Sequence, residues 1–298
     1  MSRHSGHVGS GAGRVAPSFV GAPRPTRPAR PARRAAAGTA LVAVVVGLSA
    51  CSGAPDAGPA TTPEAGPGEV DAGITVFAAA SLREPFTELA DRFEAAHPGT
   101  DVTLNFAGSA DLVTQITEGA PADVFASADH RTMGRVESEG LLATDAVDFA
   151  TNTLQLAVPP GNPADIGSLA DAAREDVRTV ICAEQVPCGA AALQVAESAG
   201  VELTPVSEET SVTDVLGKVT SGEADAGLVY VTDVRAAGDA VLGIDLPEAA
   251  DAVTTYPIAA LSVVETSGEE QDASRAFVDF VTGEQGRVVL EAAGFGAP

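Results

Sequence analysis

Tryptophan is absent from the 298 residues, tyrosine occurs twice and histidine four times. Sugars are commonly held by stacking on aromatic faces, so the shortage of large rings counts against a sugar receptor. His4 and His7 precede the first long apolar run, which leaves His97 and His130 for imidazole catalysis or a metal site. No G-x-S-x-G elbow occurs, so a serine hydrolase lacks its usual nucleophile turn and has few candidate bases. Basic residues are also scarce: 17 stand against 41 acidic ones, and seven of the 17 are arginines in the first 50 residues. From Cys51 onward ten basic residues face 41 acidic ones, a net charge of −31. A body this acidic lacks the clustered Lys and Arg that phosphate-backbone affinity needs, which excludes nucleic acid as a partner. What the chain has is apolar residues, 45% of the total, in a length that supports one large or two ordinary domains with real cores.

The longest apolar run, residues 40–48 (ALVAVVVGL), follows a leader rich in Pro, Gly and Arg and is too short to span a bilayer permanently. It reads as the core of a signal peptide over residues 1–50. The run ends in Leu48-Ser49-Ala50-Cys51, which resembles the lipobox of bacterial lipoproteins, with Cys51 as the lipid attachment site; a plain signal peptide with an incidental Cys is the alternative. Residues 52–73 contain four Pro, five Gly and no large aliphatic residue except Val70. Such a segment cannot bury enough surface to offset its ordering entropy, so 51–73 is expected to be a disordered linker between anchor and body. A body anchored outside the cell membrane follows.

From Ile74 the chain alternates strand-like and helix-like segments, the pattern of mostly parallel sheets with helices on their faces. Strands are expected at 74–80, 101–107, within 119–129, and at 153–158, 179–182, 226–231 and 256–264. Helices are expected at 83–96, 110–118, 189–199, 213–221, 270–282 and 284–293. Phe86, Leu89, Ala90 and Phe93 give the first helix its apolar stripe. Two α/β lobes fit this order, with 74–152 plus 255–298 forming the first and 153–254 the second. Two chain crossings between them make a hinge and a cleft that closes.

Three Ser-led helix starts follow strands or loops: Ser81-Leu-Arg-Glu84, Gly108-Ser109-Ala-Asp111 and Ser211-Val-Thr-Asp214. Each fits helix capping, and the first fits a capping box with Glu84. Ligands of open α/β sheets sit beyond the carboxyl ends of the strands, where helix starts expose unpaired N–H groups and the positive end of the dipole. A hydroxyl there accepts from its own helix and donates to an anion at once. Several such starts around one cleft would suit a fully deprotonated oxyanion.

The segments Phe77-Ala-Ala-Ala-Ser81-Leu82, Phe106-Ala-Gly-Ser109, GAPADVFASAD (119–129), Val186-Pro-Cys-Gly189, Gly227-Leu-Val-Tyr230 and Tyr256-Pro257 stand in the order found in the periplasmic molybdate-binding proteins of ABC transporters. The body, 74–298, resembles that family over essentially its whole length. The resemblance implies a two-lobed periplasmic-binding-protein fold of type II, no enzymatic activity, no cofactor and no bare metal cation. It further implies a monomer that binds molybdate, and tungstate with it, for delivery to an ABC permease. Carried over position by position, it implies ligand contacts from Ser81 and Ser109 (hydroxyl and N–H), Ala128 (N–H), Val212 (N–H) and Tyr230 (hydroxyl). Tyr256 is assigned to hinge packing.

Cys182 and Cys188 bracket the loop AEQVP, and in an exported protein a disulfide is their expected state. Binding a dianion on a body of charge −31 is physically sound because distant acids are screened beyond about 8 Å at physiological salt. Affinity then rests on local donors. The rival receptors share the fold class and differ in ligand: sulfate, thiosulfate or a phosphonate. An anchored serine hydrolase using Ser81 or Ser109, and a surface protein with no small ligand, are the remaining alternatives.

Overall fold

The structure is a computed structural model that describes residues 72–262 and 267–298; the expected signal peptide, Cys51 and almost all of the expected linker lie outside the described residues. In chain order the first set of elements is β1 (Gly73–Ala79), α1 (Arg83–Ala96), β2 (Asp101–Ala107), α2 (Ser109–Thr117), β3 (Val124–Ala126), α3 (His130–Ser138) and β4 (Val147–Asn152). There follow β5 (Leu154–Val158), α4 (Leu169–Ala172), β6 (Thr179–Cys182), α5 (Pro187–Ala199), β7 (Ser207–Glu209), α6 (Val212–Thr220), β8 (Ala226–Tyr230), α7 (Val231–Ala237) and β9 (Leu242–Asp245). The chain closes with β10 (Thr254–Ala260), α8 (Gly268–Thr282) and α9 (Glu284–Ala293).

Two five-stranded sheets result, ordered β2-β1-β3-β10-β4 and β7-β6-β8-β5-β9. They repeat one plan: the first three strands run parallel, and the fourth in order, β10 or β5, runs antiparallel to both its neighbours. The inner parallel strands are buried on both faces, which is why β3, β6 and β8 are unbroken runs of apolar or small residues rather than alternating ones. The edge strands β2 and β7 carry the exposed polar positions.

The chain leaves the first sheet at Asn152, passes through Thr153 into β5, and returns at Thr254, directly opposite Asn152 in the β4–β10 ladder. α8 then packs on β1, β4 and β10, and α9 packs on α1 and β4, so the terminal helices cover the first sheet. Phe86, Leu89, Ala90 and Phe93 of α1 are buried, as their spacing requires. Phe93 meets Phe277 edge to face with centroids 5.2 Å apart, and Phe86 lies 5.8 Å from Phe149. Tyr256 is enclosed by Phe149, Phe295 and Tyr230 at 6.3, 5.4 and 5.9 Å. Aromatic pairs of this kind contribute about 0.5–1.5 kcal/mol each beyond burial, and here they fix the ring behind the cleft.

Several features depart from the sequence reading. α3, β4, α4, β7, α7 and β9 were not expected as elements. His130 is the first residue of α3, and its exposed ring pairs with Asp148 at 2.9 Å.

Candidate functional site

The residues Ser81, Ser109, Ala128, Val212 and Tyr230 all line one small cavity, together with Ala79, Ala80, Gly108 and the segment Val186–Cys188. The cavity is small, with about 200 Å³ of space between its walls, below the roughly 300–1,000 Å³ of pockets that take organic ligands. No charged side chain is among its lining residues. Arg83, the cation nearest in sequence, lies over the Phe106 ring at 4.6 Å instead.

The positions come from repeated use of one device, a helix beginning where a strand ends. β1 runs into a 3-10 turn at Ala80–Leu82, β2 into α2, β6 through a loop into α5, β7 into α6 and β8 into α7. Three of these starts, the turn at Ala80, α2 and α5, have no side-chain cap, and Ala79, Gly108 and Val186 stand at their cap positions. Their leading N–H groups therefore have no capping side chain to satisfy them.

The expected capping roles of the serines are corrected accordingly. Ser81 caps nothing; it sits inside the 3-10 turn, and its Oγ lies 3.0 Å from Tyr256 Oη. The capping box with Glu84 is therefore absent. Ser109 is the first residue of α2, and its Oγ accepts a 3.1 Å hydrogen bond from Ala128 N–H. Only Ser211 caps, accepting from Asp214 N–H at 3.2 Å, while its neighbour Val212 opens α6 on the cavity side. The two serines in the cavity wall are thus released from capping, and the serine that caps lies outside the wall.

The bond from Ala128 changes its part. Its N–H is directed at Ser109 Oγ, which leaves that hydroxyl's proton to donate elsewhere. On the opposite wall Cys188, the second residue of α5, was missed as a site residue. A helix start without Ser, Thr, Asp or Asn, just after a strand's carboxyl end and with Pro187 leading, was the signal available for it. Cys182 and Cys188 are joined as a disulfide.

Tyr230 closes the back of the cavity. It is fully buried, and its Oη makes no hydrogen bond of normal geometry, although the Thr254 and Tyr256 hydroxyls are near enough to influence it. Burial pushes its phenol, and that of Tyr256, well above the usual range, so both stay protonated and able to donate. Tyr256 does not line the cavity. Asp233 accepts from Tyr230 N–H at 3.0 Å, and burial drives its carboxyl up to about 7, opposed by that hydrogen bond and aided by Glu84.

Two of the contacts between the walls bear directly on closure. Gly108, before α2, touches the carbonyl of Thr210, before α6, so closely that a Cβ there would lie 1.9 Å from the oxygen. Arg131 of α3 donates to Glu184 O at 3.0 Å. The arrangement is a small pocket walled by neutral side chains and helix starts, with no carboxylate among its lining residues.

The molybdate-binding protein ModA of Mycobacterium tuberculosis (strain ATCC 25618 / H37Rv) is 46% identical over 255 residues, covering 86% of this chain and 95% of that protein. The periplasmic molybdate-binding protein of Azotobacter vinelandii has the same fold, with a TM-score of 0.64 at 23% identity over 76% of this chain and 99% of that one. So has the sulfate-binding protein SubI from Mycobacterium tuberculosis H37Rv, with a TM-score of 0.63 at 19% identity over 75% and 86%. The family model for bacterial extracellular solute-binding proteins matches residues 74–296. With that match and the ModA relative together, the chain belongs to the bacterial extracellular solute-binding proteins.

Proposed function

We propose that the protein captures molybdate, and tungstate as its chemical twin, between two lobes outside the cell membrane and presents it to an ABC permease. The observation that carries this reading is the cavity itself: uncapped helix starts, two serines freed from capping and a buried, unpartnered phenol surround a space for one compact ion. The relative named for molybdate binding supplies the ligand's identity. Ser81, Ser109 and Tyr230 donate from hydroxyls, and the starts of α5 and α6, at Cys188 and Val212, donate from N–H groups. Ala128 acts by orienting Ser109. Charge-assisted bonds of this kind are roughly twice as strong as neutral ones, and several of them offset the anion's dehydration.

The lobes are 74–152 with 255–298, and 153–254. The receptor is a monomer, held by lipid at Cys51 after its signal peptide is removed, and it makes and breaks no bonds of its ligand. A thermal-shift panel of molybdate, tungstate, sulfate, thiosulfate and phosphate on the purified body tests the reading. Molybdate and tungstate are expected to raise Tm, and sulfate to do so weakly or not at all. A response to sulfate alone, the ligand for which SubI is named, would transfer the assignment to sulfate. No response to any oxyanion would end it.

A further inference from the structure

The loop between β6 and α5 does three things at once. Val186 and Pro187 line the cavity, with Cys188 following them in its wall. Glu184 O receives the cross-cleft bond from Arg131. The loop also lies so tightly on α5 that a Cβ on Gly189 would stand 2.0 Å from Ala183 O. Yet α5 has no capping side chain to fix its entry, whereas α3 and α6 have Asp129 and Ser211. What ties the loop's two ends is the bond from Cys182, the last residue of β6, to Cys188, with both cysteines buried.

We propose that the Cys182–Cys188 disulfide is a positioning element of the oxyanion site, holding the start of α5 in the cavity wall in place of a side-chain cap. The inference rests on the oxyanion reading above. A capping side chain consumes the N–H groups it satisfies. A covalent tie fixes the helix start without consuming any, so the donors remain for the ligand. Opening the disulfide frees the loop to leave the wall, and it loosens the carbonyl on which Arg131 closes. Ligand affinity therefore falls when the bond is broken. By linkage, ligand also stabilises the bond: the factor by which the disulfide strengthens binding equals the factor by which binding shifts the thiol–disulfide equilibrium.

Cys182→Ala is the informative variant, because Cys182 is not among the lining residues and every cavity residue keeps its side chain. Titration calorimetry with tungstate compares it with the wild-type protein, alongside thermal unfolding without ligand. The expected result is an affinity at least tenfold weaker, expressed mainly as faster dissociation. A second measurement needs no substitution. Wild-type protein is equilibrated in glutathione buffers, where two glutathione thiols pass two electrons and two protons to the disulfide and leave as glutathione disulfide. Saturating tungstate should then favour the oxidised form at least tenfold, about 30 mV for this two-electron couple. Wild-type affinity in Cys182→Ala, with only a lower Tm, overturns the proposal and leaves the bond a staple. So does a glutathione equilibrium indifferent to tungstate, which decides alone if the variant does not fold. Wild-type protein that gives no heat with tungstate or molybdate sinks the oxyanion reading, and this inference with it.

Discussion

Gly108→Ala separates closing from folding. Gly108 has φ −58° and ψ 137°, a conformation alanine adopts without strain, so the first sheet and α2 tolerate the methyl group on their own account. Replacing Gly by Ala at such a position stabilises by about 0.4–1 kcal/mol through the unfolded chain. The obstacle lies across the cleft. The new Cβ would meet Thr210 O at 1.9 Å and Thr210 C at 3.1 Å, both backbone atoms that no rotamer change can move. Restoring an ordinary contact requires the facing wall to retreat by about 1.5 Å, and a hydrogen bond lengthened that far from about 2.9 Å is broken. Val212 lies two residues beyond Thr210 and retreats with it. Losing one or two donors to a charged ligand, at about 1.5–3 kcal/mol each, predicts capture weaker by at least about tenfold. Titration calorimetry with molybdate measures the loss, and thermal unfolding of the ligand-free variant should give a Tm equal to or slightly above wild type. Affinity within twofold of wild type would refute the closed-cleft reasoning, and a large fall in ligand-free Tm would show the clash to be intrinsic to the fold.

Tyr230→Phe should move two quantities in opposite directions: removing a buried, unpartnered hydroxyl leaves ligand-free Tm unchanged or higher, while molybdate affinity drops by about 1.5–3 kcal/mol, both readable in one thermal-shift series. Ser109→Ala should lower both, because it deletes a donor to the ligand and strands Ala128 N–H in a buried position at about 1–3 kcal/mol; an unchanged affinity would remove Ser109 from the site. Asp233 carries a pH signature. Its folded carboxyl is raised to about 7 from 3.8, so the folded protein holds the extra proton, and stability falls as pH rises from about 4 through about 7. Asp233→Asn keeps an acceptor for Tyr230 N–H and should flatten that decline, with a gain on the order of a few kcal/mol at pH 8 in urea unfolding; parallel profiles for variant and wild type would refute it.

The alternation of elements was legible because strands buried on both faces and helices with one apolar stripe write distinct patterns, as in β6, β8 and α1. β7 is Ser-Glu-Glu and β9 is Leu-Gly-Ile-Asp; such short edge strands exist only because a neighbour offers a ladder, so their own residues announce nothing. The cavity-lining positions of Ser81 and Ser109 were legible as helix starts. Their hydrogen bonds were not, since Ser81 meets Tyr256 across 175 residues of chain and Ser109 meets Ala128 across 19. Local grammar favoured capping, and tertiary partners overrode it. Cys188 was hidden by its own chemistry: read as half of a crosslink, it left no reason to look at its backbone.

The place where the chain crosses has a mechanical consequence. Asn152 and Thr254 face each other in the β4–β10 ladder, and Asn152 Nδ2 is bonded to Thr232 Oγ1 at 2.8 Å just beyond. The two crossings therefore leave the first sheet side by side, at the last rung of one ladder, rather than from separate edges. Two pivots so close together approximate one axis, so a swing of one sheet against the other would carry Gly108 and Thr210 apart and together along one arc.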